Sequence, residues 1–110
     1  MRRATVLLLA LGLAACGAET GSNDEACREA DTVAREVEEF AEPLTDEQTD
    51  AARQWEFRLA EASVLATDHD LAVSIRDLAD AAGNVAEDLN DANARDVFGR
   101  VYADVTAKCN

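Results

Sequence analysis

The cleanest pattern in the chain lies between residues 71 and 89, where Leu71, Ile75, Leu78, Ala82, Val85 and Leu89 recur at spacings of 4, 3, 4, 3 and 4. This heptad seam puts all six side chains on one face of a helix, with Ala72, Ala79 and Ala86 flanking it every seventh residue. Three further segments carry the same periodicity less regularly. From about residue 24 to 41, Cys27, Ala30, Ala34, Val37 and Ala41 form a stripe beside Val33 and Phe40, while Glu29, Glu36 and Glu39 take other faces. Pro43 stops that helix, because the residue before a proline is pushed out of the helical region. Thr45 and Gln48 then have capping-box spacing at the start of a second helix, whose stripe is Ala52, Trp55, Leu59, Ala62 and Ala66. Thr67-Asp68-His69-Asp70 breaks the pattern with residues that favour a helix N-terminus as acceptors and as negative charges. After a turn at Asn90-Asp91, Ala94, Phe98, Val101, Val105 and Cys109 line the last helix.

The expected helices therefore cover about 24–41, 46–66, 70–89 and 92–108, and β-alternation occurs nowhere. Four helices joined by short turns predict an all-α fold, an antiparallel up-down-up-down four-helix bundle, because short loops make sequence neighbours into spatial neighbours. The aromatics are Phe40, Trp55, Phe57, Phe98 and Tyr102, so the core must be mostly Ala, Val and Leu. Two features have two readings each. Gly83 and Gly99 either meet between helices three and four, permitting close backbone approach, or are tolerated surface glycines. Phe57, Ala60 and Val64 form a second apolar line on helix two, roughly opposite the first. Either the helix is rotated so that both lines flank one wide buried face, the preferred arrangement, or the second line is exposed and meets a partner.

The N-terminus follows different rules. Met1-Arg2-Arg3 precedes an apolar run from Ala4 to Leu13 that ends in small residues, the layout of a secretory signal. The run is too short to span a bilayer, which takes ~20 apolar residues. Its end, Leu13-Ala14-Ala15-Cys16, resembles the lipobox of bacterial lipoproteins, in which an aliphatic residue and two small ones precede an obligatory cysteine. The resemblance covers residues 1–16 only. It implies that diacylglycerol is attached to the Cys16 thiol, that residues 1–15 are removed, and that Cys16 becomes the lipidated first residue. Residues 16–23, small and polar, then form a flexible tether, and residues 24–110 the domain. The protein would sit at the cell membrane on its extracytoplasmic side, or at an outer membrane if the source has one. With Cys16 lipidated, Cys27 and Cys109 remain in an oxidising compartment as a single pair. The bundle topology agrees, since both fall on apolar stripes at one pole.

All 23 acidic residues follow Cys16, and Arg2 and Arg3 leave with the signal, so eight basic side chains against 23 acidic ones give the mature chain a charge of about −15. Nucleic acid and anionic lipid surfaces are repelled; the charged partners admitted are cationic envelope proteins, peptides or metal ions. Glu38, Glu39, Glu42, Asp46, Glu47 and Asp50 lie in a stretch without Lys or Arg between Arg35 and Arg53, which predicts an acidic pole facing away from the membrane.

Catalytic and cofactor patterns are weak. His69 between Asp68 and Asp70 is the sole histidine, and helix capping explains all three residues, so no metal site is expected. Ser63 and Ser74 do not face His69 at helical spacing, and Glu-x-x-His, Cys-x-x-Cys and a retained haem-ligating Met are missing. No catalytic residue and no cofactor is assigned. The expected function is a non-catalytic binding or structural module of the envelope, held at the membrane through Cys16. Its rivals are a low-affinity divalent-cation binder using the acidic pole and a small enzyme of unrecognised type.

Overall fold

Four helices follow one another: α1 (Ala14–Glu39), α2 (Asp46–Leu65), α3 (His69–Glu87) and α4 (Ala92–Cys109). The computed structural model describes residues 14–110, with side chains from Asn23 onward. Most of the expected signal peptide, and the side chain of Cys16, lie outside the described residues. Among the described residues there is no strand, and no helix is long and apolar enough to cross a membrane.

The starts of α2, α3 and α4 are built as the sequence predicts. The Thr45 hydroxyl accepts from the Gln48 backbone N–H, and the Gln48 side chain accepts from the Thr45 N–H, both at 3.0 Å. Asp68 caps α3 by accepting from the Asp70 N–H, and Asp91 caps α4 by accepting from those of Asn93 and Ala94. Caps of this kind are worth about 1 kcal/mol each, because they satisfy donors that have no partner inside the helix.

α1 and α3 each end two residues earlier than expected, at Glu39 and Glu87, so Leu89 of the seam packs from the α3–α4 turn; the large difference is at the start of α1. α1 begins at Ala14, so residues 16–23, expected as a flexible tether, are helical. No proline interrupts the segment, and the packed turns from Ala26 onward supply a nucleus from which each further residue adds one hydrogen bond. Side-chain chemistry ties the start of the packed region in place: the Asn23 amide oxygen accepts from the backbone N–H groups of Thr67 and Asp68, at 2.8 and 3.3 Å.

The core is a single apolar cluster between the four helices. The whole heptad seam, Leu71, Ile75, Leu78, Ala82, Val85 and Leu89, is buried, and it packs with Val33, Val37, Trp55, Leu59 and Phe98. Trp55 and Phe98 are the largest buried side chains; burying such an aromatic contributes roughly 2–6 kcal/mol of apolar transfer, Phe toward the lower end and Trp toward the upper. Phe40 is tilted against Trp55, ring centroids 5.2 Å apart, and closes the core at the α1–α2 turn. α1 packs against α2 and α4, and α3 against α2 and α4. A disulfide joins Cys27 of α1 to Cys109 of α4, with Cα atoms 5.9 Å apart.

The glycines do not meet. A Cβ on Gly83 would meet the carboxylate end of the Glu56 side chain of α2, and one on Gly99 would meet nothing within 4 Å. The flexible end of Glu56 can swing away from a side chain at position 83, so Gly83 faces α2 without closing it tightly, and Gly99 is simply tolerated.

Glu38 and Glu39 sit at the C-terminal, negative end of the α1 dipole, where acidic residues are unfavourable and no basic residue in the last turn of α1 offsets them. Arg95 of α4 supplies the cation. Its guanidinium donates to the carbonyl oxygens of Val37 at 3.1 Å, Phe40 at 2.8 Å and Leu89 at 2.6 Å. One side chain thus satisfies two carbonyls at the end of α1 and one in the α3–α4 turn.

Candidate functional site

Three surfaces hold the residues that the sequence singles out. At the first, the pole formed by the α1–α2 and α3–α4 turns, Glu38, Glu39, Glu42, Asp46, Glu47 and Asp50 are all exposed. The Asn90 amide donates to Glu42 at 3.1 Å, so the two turns do come together there. The carboxylates nevertheless do not converge: among the described residues, no three Asp, Glu, His or Cys side chains are grouped to hold a metal ion. Asp46 and Glu47 sit in the first turn of α2, where the helix dipole favours them.

The second surface is an open groove of about 720 Å³ between α1 and α2, lined by Arg28, Glu29, Arg58, Glu61, Val64 and Leu65 among others. Its deepest charge is already spent. Arg58 pairs with Glu29 and with Glu36, each at 3.3 Å, and Glu36 also accepts from the Trp55 indole N–H at 3.2 Å. Arg58 is held by two half-buried carboxylates two turns apart on α1, leaving little of its charge for a ligand.

The outer face of α2 is the third. The preferred rotation, with both apolar lines flanking one buried face, is overturned: Phe57 is 60% exposed and Val64 76%, while Ala60 is half-buried. The orientation of α2 is set by Trp55, Leu59 and Ala62, which are fully buried. With those residues inward, a position two residues from Trp55 must point out. Leu65 is also exposed, at 41%.

The candidate nucleophiles are placed unproductively. Ser74 is buried and its hydroxyl donates to Asp104 at 2.8 Å, while Lys108 pairs with the same carboxylate at 2.9 Å. Lys108 first, and Ser74 second, hold the Asp104 carboxyl below the usual carboxylate range. Such a carboxylate is a poor base, and the serine proton is engaged with it. Ser63 donates to its own helix, at Ala60 O, and His69 is exposed in the first turn of α3.

Beside the disulfide, the Tyr102 hydroxyl donates to Asp31, which also pairs with Arg35 at 2.8 Å. Burial, and after it the hydrogen bond to Asp31, push the Tyr102 phenol up, against an opposing pull from Arg35. A pKa raised in the folded state contributes stability that is present below the ordinary value of about 10 and is lost as pH rises through the folded value. Tyr102 is the only tyrosine, so tyrosinate absorbance reports it alone. Titration of the folded protein should show a midpoint above that of the urea-unfolded chain, and Asp31→Asn should bring the two closer. Coincident midpoints in folded and unfolded protein would contradict the buried hydrogen bond.

Arg58 and Arg95 escaped the sequence reading, although both organise the surfaces above. The signal available for Arg95 was its position one turn into α4, at the pole where α1 ends without a basic residue in its last turn. No protein family, curated protein or solved structure matches this chain, so a functional reading rests on its own residues.

Proposed function

We propose that this protein is a membrane-anchored lipoprotein of the bacterial envelope, acting as a non-catalytic binding or structural module. The single observation that carries the reading is the Cys27–Cys109 bond. It accounts for two of the three cysteines and leaves Cys16, directly after Leu13-Ala14-Ala15, for the lipid attachment that the lipobox resemblance implies. Disulfides also persist outside the cytoplasm, which agrees with an exported chain.

The domain in this reading is an antiparallel up-down-up-down bundle. Several cross-helix pairs support it. Asn23 meets Thr67 while Glu36 meets Trp55, so α1 and α2 run oppositely; Glu56 meets Gly83 while Ser63 meets Arg76, so α2 and α3 do too. Cys27 meets Cys109 while Val37 meets Arg95, which gives the same relation for α1 and α4. The acidic pole then faces away from the anchor, where it favours a cationic protein or peptide. A binding role rather than catalysis is supported by the engaged Ser74 and the exposed His69.

The test is Cys16→Ala. Diacylglyceryl transfer needs a thiol at that position, so the variant should accumulate as uncleaved precursor and lose the acyl mass seen for the wild-type membrane fraction. A normal acylated mass in the variant would end the lipoprotein reading.

A further inference from the structure

The centre of the outer face of α2, Arg53, Phe57 and Glu61, is complementary to itself in charge. Along that face run Asp50, Arg53, Phe57, Ala60, Glu61 and Val64, with Phe57 at the centre. Phe57 and Val64 are among the most exposed large apolar side chains of the described residues, and nothing in the fold covers them. Arg53 has only a loose partner one turn away, Asp50 at 3.8 Å, with both side chains more than 70% exposed. Glu61 is exposed, and among the described residues it has no ion-pair partner.

We infer that this face pairs with the same face of a second copy of the chain, the two α2 helices running antiparallel about a twofold axis at Phe57. An isologous contact requires a surface complementary to itself, and this one meets the requirement in one orientation. Antiparallel pairing centred on Phe57 sets Phe57 against its own counterpart, Arg53 level with Glu61 of the second copy and next to its Ala60, and Val64 at the edge of the contact, level with Asp50. Two ion pairs then flank an aromatic centre, and small Ala60 leaves room for the arginine stem. Parallel pairing would instead put Arg53 against Arg53 and Glu61 against Glu61, which like-charge repulsion disfavours. The inference goes beyond the envelope reading and does not depend on the lipid. It does imply that the two anchors leave the pair at opposite ends.

The full-length protein, purified in density-matched detergent, is analysed by sedimentation equilibrium at near-physiological salt, together with Phe57→Glu, Arg53→Glu, Glu61→Arg and the double variant Arg53→Glu/Glu61→Arg. The wild type is expected to be in monomer–dimer equilibrium. Phe57→Glu should weaken it by about 50-fold or more, as for a central aromatic anchor, with the melting temperature nearly unchanged because the residue is exposed. Each single charge reversal should weaken association about tenfold, and the double reversal should recover to within about threefold of wild type. A wild type that stays monomeric up to about millimolar concentration, or Phe57→Glu associating as wild type does, overturns the proposal. A double reversal no tighter than the product of the single effects overturns the antiparallel register that defines it.

Discussion

Replacing Cys27 by serine is expected to remove about 4.5 kcal/mol of stability, the largest effect of any single side chain outside the core. The bond spans 82 residues, and on the chain-entropy account the unfolded chain gains that much freedom when so long a loop is opened. A domain of this size is stable by only about 5–15 kcal/mol, so the loss should lower the melting temperature by on the order of 20 °C. The reason the bond matters here is compositional. Of the buried apolar side chains, many are alanines, among them Ala26, Ala30, Ala34, Ala52, Ala62, Ala79 and Ala82. An alanine buries so little apolar surface that small helical cores of this kind commonly need a staple. The check is thermal unfolding in a Cys16→Ser background, where the thiols of Cys27 and Cys109 are the only ones left to count. Cys27→Ser, Cys109→Ser and the chemically reduced parent should melt together, well below the oxidised parent. Two alkylatable thiols in the unreduced parent, or a loss of only a few degrees, would refute the prediction.

Arg95→Ala is expected to cost about 3–4 kcal/mol, although the residue lies outside the apolar core. Its guanidinium makes three charge-assisted hydrogen bonds to carbonyls of Val37, Phe40 and Leu89, and such bonds are worth about 1.5–3 kcal/mol each without being additive. It also places a cation at the negative end of the α1 dipole, beside Glu38 and Glu39, where no basic residue of α1 itself stands. Arg95→Lys should recover less than half of the loss, since one ammonium cannot reach three carbonyls in a fork. Urea unfolding measures both. A change under about 1 kcal/mol for Arg95→Ala, or full recovery by lysine, would show that water replaces the guanidinium at little cost.

What the sequence determined by itself is what depends on near neighbours along the chain. Helix number and type follow from the 3-and-4 spacing of apolar residues. The capping residues Thr45, Asp68 and Asp91 follow from chemistry acting over two or three positions. The burial of the seam from Leu71 to Leu89 needs only that some core exists. The disulfide was legible too, because the lipobox resemblance left two cysteines and a four-helix layout put them at one pole.

The tertiary structure decided what depends on how one helix is turned against another. Phe57 and Trp55 are both aromatic and two positions apart, so they cannot both face one core; which turns inward is set by the fit of Trp55, its ring beside Phe40 and its indole N–H donating to Glu36. That choice exposes the Phe57, Ala60 and Val64 line and creates its candidate interface. Arg95 is separated from Val37 and Phe40 by 58 and 55 residues, so its contacts leave no periodic mark. Pattern in a sequence reports which side of a helix is apolar; only packing, where two shapes and two sets of charges must fit at once, reports where that side points and which distant backbone a charged side chain reaches.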